Sequence, residues 1–261
     1  MLRELYTTAL GMLSRQTRLE LVANNLANLS TLGYKREALF QQALIEAQQN
    51  LSHVPGDPEA VDLPMASYTD FSHGALQHTG NPLDVALDGP GFFVVQDAMG
   101  QLFLTRQGRF SLQLDGTLRT PEGKLVLGIG SMPLRLPVIP ESRWEQPQAA
   151  WHRAPLLEIT AAGELRYRSV PVGTLWIVQA PLQALRRSDG VEFALAPGTQ
   201  LQTLLPEEYR LLQGFVEGSN VNPVEELVQL VELQRQFELG QRVIRGNDST
   251  LERSIEISRF V

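Results

Sequence analysis

The chain has 261 residues, 43% hydrophobic and 20% charged, the balance of a globular protein with room for a sizeable core and one or two domains. Its 22 basic and 29 acidic residues leave a net charge of −7 with no basic stripe, which argues against nucleic acid as a partner. The lack of cysteine excludes disulfides, thiolate metal sites and cysteine nucleophiles, and suits either redox compartment. Only Lys35 and Lys124 among the basic residues are lysine. Arginine suits planar, bidentate pairs at interfaces, and a genome-wide codon bias would produce the same skew.

In chain order, the opening MLRELYTTALGMLSRQTRLE is amphipathic and is interrupted by Glu4 and Arg15. It is expected to be neither a secretory signal nor a membrane anchor, and no window is apolar for long enough to span a bilayer. Leu2, Leu5, Ala9, Met12, Gln16, Leu19, Ala23 and Leu26 alternate spacings of three and four, which predicts a helix to about Asn28. The apolar seam is narrow and suits helix–helix contact. Gly33 can supply the left-handed cap beyond it. Asn24, Asn25 and Asn28 are poor helix formers set into that run. Either they face water, or some lie beside the seam, where a buried asparagine costs stability but penalises wrong registers and partners.

Residues 37–74 read as a connector, since VPGDPEAVDLP at 54–64 suits neither a helix nor a central strand. From 75 to 216 the period changes to two. Short β-branched and aromatic runs alternate with turns expected at Asp88-Gly89, Asp97 to Gly100, Asp115-Gly116 and Glu122-Gly123. A further hairpin is expected around Gly163, followed by a strand in TLWIVQ (174–179). The pattern predicts an antiparallel β-rich domain. The C-terminal region returns to helix. Asn222 reads as its N-cap, Pro223 as its first residue and Glu225 as the third, a capping box. Leu230, Leu233, Phe237, Gly240, Ile244, Asn247 and Leu251 then repeat the three-and-four spacing. Tyr6, Leu13, Val22, Val243 and Ile255 form a second stripe that needs partners beyond the helix pair, and neighbouring copies in an open helical assembly would supply them.

The expected fold class is therefore α+β, mainly β: long N- and C-terminal helices in a coiled-coil-like pair, with a central antiparallel β-rich domain. The expected boundaries are 1–36 and 217–261 for the paired helices, 37–74 for the connector and 75–216 for the β-rich outer domain.

Catalytic patterns fail. His53, His73, His78 and His152 lack zinc-ligand spacing, and no Gly-x-Ser-x-Gly elbow is present. Gly89-Pro90-Gly91 precedes a strand and cannot cradle a phosphate at a helix N-terminus. The pairs Glu207-Glu208 and Glu225-Glu226 are adjacent in sequence and need share no site. No catalysis, cofactor, metal or small-molecule substrate is expected.

Three segments resemble one family. Leu21 to Arg36, with its Ala-Asn-Asn-Leu-Ala-Asn core followed by Gly33-Tyr34-Lys35, is similar to the N-terminal signature of bacterial flagellar rod and hook proteins. GNPLDVALDGPGFFVVQ, continuing through LTRQGRF and DGTLRTPEGKLVLG, resembles the central rod-protein motif. QGFVEGSNVNPVEELVQLVELQRQFE (213–238) resembles the C-terminal one. The resemblance spans the chain in order and implies a structural subunit of the basal-body rod, polymerising helically with copies of itself and other rod and hook axial proteins. The opening and LDVAL…GFFVVQ look closer to the proximal-rod protein, with the distal rod protein as the alternative. From another class, the rival is an exported β-domain enzyme or binding module dimerised by its helices.

The resemblance also implies export by the flagellar type III apparatus without a cleaved signal, to the rod in the periplasmic space and with no membrane insertion. Phe40 and Leu44 fit the short export element of such substrates. The helix-assembly residues it marks are Leu2, Leu5, Ala9, Met12, Leu19, Ala23, Asn24, Asn25, Leu26, Asn28, Leu230, Leu233, Phe237, Ile244 and Leu251.

Overall fold

A computed structural model describes residues 2–39, 67–136 and 157–258. The chain divides into two units, one from residues 1–29, 35–72 and 221–261, the other from 30–34 and 73–220.

The first unit contains helix α1 (Leu2–Ala27), a ribbon of β1 (Glu37–Leu39) and β2 (Ser67–Thr69), and helix α2 (Pro223–Ser258). Helix α1 ends where the Asn28 N–H is shared between the carbonyls of Asn24 and Asn25, at 3.1 and 3.2 Å. The Asn28 side-chain amide turns back to the Asn24 carbonyl (2.9 Å) and to Asn24 Oδ1 (2.7 Å). Asparagine thus occupies a helix end, where its short polar side chain satisfies groups the helix leaves open. In the ribbon Glu37 pairs with Thr69, Ala38 with Tyr68 and Leu39 with Ser67, antiparallel. Helix α2 starts at Asn222, whose Oδ1 accepts from the N–H of Val224 (3.1 Å) and of Glu225 (3.5 Å). Pro223 needs no N–H partner there, and Glu225 and Glu226 place negative charge at the positive end of the helix dipole.

The expected fold class is corrected. Among the described residues the chain is mostly β-sheet, nineteen strands against two α-helices, and the terminal helices do not form a coiled-coil pair. The burial pattern gives the reason. Among the described side chains of α1, Val22 and Asn25 are buried, while Ala23 and Gln16 of the expected seam are exposed and Leu19 and Leu26 are only half-buried. The inward face lies one residue, about 100°, away from the heptad stripe. Where α1 and α2 touch, Met12 lies over Gly240: a Cβ at that glycine would stand 3.2 Å from Met12 Cγ. Val22, placed by its sequence in a stripe awaiting outside partners, is buried within the unit.

The second unit is built of β3 (Leu76–His78), β4 (Val85–Asp88), β5 (Phe92–Gln96), β6 (Leu102–Thr105), β7 (Ser111–Leu112), β8 (Leu118–Arg119), β9 (Leu125–Gly128) and β10 (Met132–Pro133). They are followed by β11 (Leu157–Ile159), β12 (Glu164–Tyr167), β13 (Val170–Thr174), β14 (Ile177–Gln179), β15 (Leu185–Asp189), β16 (Glu192–Leu195), β17 (Gln202–Thr203), β18 (Arg210–Gln213) and β19 (Phe215–Glu217). Ten of them form one sheet in the order β15-β16-β6-β5-β9-β8-β7, with β10 on β9, β14 on β5 and β17 on β14. All the pairings are antiparallel. Strand β5 is central, bonded to β6 on one edge and to β14 and β9 on the other, so Phe92 to Val95 are all buried. The three-stranded sheet β11-β12-β13 adds Leu157, Ile159, Leu165 and Tyr167 to the same core. Phe93 and Phe110 meet there edge to face, 5.4 Å between centroids.

Three of the expected turns close hairpins, β5–β6, β7–β8 and β8–β9, whereas Asp88-Gly89 leads from β4 to β5 without pairing them, β4 lying against β18, and the strand expected at 174–179 is divided between the end of β13 and β14. Asp97 Oδ1 accepts from the N–H of Met99 and of Gln101, both at 2.8 Å, and closes β5 onto β6. Asp115 Oδ1 accepts from Thr117 N–H at 2.9 Å between β7 and β8. One turn lacks any sequence signal. Tyr167 pairs with Val170, so β12 and β13 are joined by two residues, Arg168 (φ 51°) and Ser169 (φ 68°). Two-residue hairpins favour Asn-Gly because both positions need positive φ, and other residues pay for it in strain. Replacing Arg168-Ser169 by Asn-Gly should stabilise the chain by about 1 kcal/mol, read as a higher denaturant midpoint at constant slope. A lower midpoint would mean the wild-type turn is not strained.

Candidate assembly surface

The first unit holds a polar cleft of about 430 Å³. Its walls are Arg18, Leu21, Val22 and Asn25 of α1, Arg36 and the ribbon residues Glu37 to Leu39 and Tyr68, and Glu225, Glu226, Gln229, Glu232, Leu233 and Gln236 of α2. Two buried contacts shape it. The Asn25 amide pairs with the backbone of Glu37: Nδ2 donates to the Glu37 carbonyl (2.8 Å) and Oδ1 accepts from the Glu37 N–H (3.0 Å). One side chain thereby imitates a strand neighbour and fixes the ribbon against α1. Across the cleft, Arg36 Nε donates to Glu226 Oε1 at 2.5 Å, with Glu225 Oε1 3.6 Å from Nη2. Burial works against the Arg36 cation, but the hydrogen bond and charge of Glu226, with Glu225 behind it, outweigh that cost and raise its pKa. Glu226 is fully buried, and its second oxygen, Oε2, has no hydrogen-bond partner.

The residues singled out in the sequence scatter around this cleft. Asn25 lies in its wall, buried, while Asn24 is exposed and Asn28 half-buried. Leu233 is buried; Met12, Leu19, Leu26, Leu230 and Phe237 are half-buried; Ala23 is exposed. Leu2, Leu5 and Ala9 belong to α1, and Ile244 and Leu251 to α2, by their backbone, their side chains lying outside the described set. Phe40 and Leu44 lie outside the described residues. Asn222, Pro223 and Glu225 open α2, with the Glu225 carboxylate turned to Arg36 and to Gln229 Nε2 (3.4 Å).

Sequence reasoning missed Arg36 and Glu226. They are 190 positions apart, and adjacency alone gave no reason to join Glu225 and Glu226 in one site. It also missed Val224, Leu227, Val228 and Val231, which are 48–68% exposed. Their spacing of three, four and seven marks a single helix face, and that signal was present in the sequence.

A model described as flagella basal body rod protein matches residues 5–35, one described as the flagellar hook protein FlgE/F/G D1 domain matches 86–166, and one described as flagellar basal body rod FlgEFG protein C-terminal matches 212–257. Relatives match over most of their length. The flagellar basal-body rod protein FlgG of Buchnera aphidicola subsp. Schizaphis graminum is 30% identical over 97% of this chain and 98% of its own length. That of Agrobacterium fabrum is 30% identical, covering 95% and 96%. The flagellar basal-body rod protein FlgF of Mesorhizobium japonicum is 29% identical, covering 97% and 96%. The chain belongs to the flagellar basal-body rod protein family, the structural subunits of the bacterial flagellar rod.

Proposed function

We propose that this subunit is built into the rod by polymerising helically with copies of itself and with other rod and hook axial proteins, as a stiff element of the drive shaft and with no catalytic role. The observation that carries this reading is the exposed face of α2, where Val224, Leu227, Val228 and Val231 present an apolar stripe beside the polar cleft. A helix face of that kind is costly in a lone chain and favourable once covered. The terminal-helix residues named above, from Leu2 through Leu251, are its assembly surface, apart from Asn25 and Leu233, which are buried within the unit and hold it in shape. Residues 1–36 and 217–261 serve that inner assembly, 37–74 connect, and 75–216 form the outer layer. A proximal-rod position is the reading favoured by the opening MLRELYTTALGML, with a distal position as the alternative. The subunit leaves the cytoplasm through the flagellar type III apparatus without a cleaved signal, to a place in the periplasmic part of the basal body, and Phe40 and Leu44 are its export element.

Deletion of the gene should leave basal bodies without a complete rod, and expression of the wild-type chain should restore it, both scored by imaging purified basal bodies. Complete rods in the deletion strain would refute the subunit role.

A further inference from the structure

The chain passes between its two units beside residues 30–34, at 72–73 and at 220–221. Inside the second unit these passages are tied together at Glu217, the last residue of β19. Its carbonyl accepts from Gly33 N–H at 2.8 Å, and its carboxylate Oε1 accepts from Gly74 N–H at 2.9 Å. Just beyond it, Gly218 N–H donates to the Ala75 carbonyl at 2.9 Å and Asn220 N–H to the Tyr34 carbonyl at 3.4 Å. The backbones stand too close to admit a side chain between them: a Cβ at Gly74 would lie 2.0 Å from the Gly218 carbonyl oxygen. The exposed His73 places Nδ1 3.9 Å from Glu217 Oε1, while the carboxylate itself is fully buried.

Arg106 holds that carboxylate on the sheet. Its Nη1 lies 3.5 Å from Glu217 Oε2 and donates to the Leu87 carbonyl at 3.1 Å, and its Nη2 donates to the Gly89 carbonyl at 2.8 Å. Burial pulls the pKa of Arg106 down, and the charge of Glu217 offsets part of that. For stability alone, apolar side chains of similar volume often serve as well as a buried ion pair. The pair adds direction. A carboxylate accepts from a backbone N–H on one side and answers a guanidinium on the other, and an apolar side chain does neither.

We propose that Glu217, seated on Arg106, is a positioning residue for the shaft: it gathers the passages so that twist carried along any of them enters the sheet at one place. This rests on the rod-subunit reading. A subunit without that joint is still built into the rod, because the exposed stripe of α2 is untouched, but its passages yield one at a time under load.

The test uses the full-length chain. Glu217→Gln keeps the size of the side chain and removes its charge. In hydrogen exchange of the purified variant, the Gly33 and Gly74 amides should both exchange about tenfold faster or more, with protection in β5 and β6 retained. In the deletion strain the variant should complete rods in wild-type number, yet swimming should stop at a medium viscosity that the wild-type chain tolerates. Arg106→Lys keeps the charge without the planar fork that reaches two carbonyls. It should show the same pattern, and it carries the test if the Glu217 variant does not fold. Faster exchange at Gly74 alone, unchanged exchange at both amides, incomplete rods or wild-type swimming at high viscosity would each overturn the joint. A wild-type chain that fails to complete rods in the deletion strain would overturn the subunit reading instead, and the shaft role of Glu217 with it.

Discussion

Replacing Gly33 by alanine is expected to be among the most damaging single changes in the second unit. Gly33 has φ +69°, a left-handed conformation that costs an L-residue about 1–2 kcal/mol. A Cβ there would sit 2.5 Å from Gln107 N and 2.7 Å from the Arg106 carbonyl carbon. Both are backbone atoms of the buried segment that follows β6 and cannot swing aside as a side chain would, which adds about 1–3 kcal/mol of overpacking. The surrounding segment is held on every side. Gly33 N–H donates to the Glu217 carbonyl at 2.8 Å, Asn220 N–H reaches the Tyr34 carbonyl at 3.4 Å, and the Arg187 guanidinium lies 4.7 Å over the buried Tyr34 ring. Gly33→Ala should therefore lower stability by about 2–5 kcal/mol in total, with new proteolytic cleavage near residues 30–34. An unchanged denaturant midpoint would mean this segment is not anchored as described.

Asn25→Leu should destabilise the first unit even though leucine is the better helix former. The propensity gain is at most about 0.7 kcal/mol. Against it stand two lost hydrogen bonds that leave the N–H and the C=O of Glu37 unpaired beside an apolar side chain, at about 1–3 kcal/mol each. The loss outweighs the gain severalfold. The Glu37 amide should exchange with solvent much faster in the variant, while protection in β5 and β6 of the second unit is retained. Asn25→Asp keeps the acceptor for Glu37 N–H but removes the donor and buries a charge, so it should be no more stable than Asn25→Leu. Slow exchange at Glu37 in Asn25→Leu would show that the ribbon does not depend on this side chain.

The asparagine signature thus divides its work, in a way its spacing hints at without revealing. Asn24 and Asn28 close the helix end locally, four residues apart, a role that helix geometry makes legible from sequence. Asn25 bonds to Glu37, twelve residues on and in an extended segment, and no local rule links a helical amide to a later strand. Gly33, expected as the helix cap, is not one: α1 ends at Ala27, the Gly33 N–H donates to the Glu217 carbonyl, and its left-handed φ serves a close approach to Arg106 and Gln107. The Arg168-Ser169 turn carries no local signal, because turn signals are written in glycine and asparagine and its two residues are neither.

What the sequence determined by itself is local. Period-two runs and the turns at Asp97 to Gly100, Asp115-Gly116 and Glu122-Gly123 set hairpins of the β-rich unit, because strand alternation and turn chemistry act over a few residues. Asn222-Pro223 set the start of α2 for the same reason. Tertiary structure alone decided which face of α1 is buried. A stripe at three-and-four spacing and its neighbour one residue away differ by about 100° of rotation, and the choice fell to contacts with a ribbon whose strands lie some thirty residues apart. It also decided that Arg36 meets Glu226 across 190 residues. Desolvation makes such a pair either costly or firmly held, according to whether the folded chain brings the two charges together.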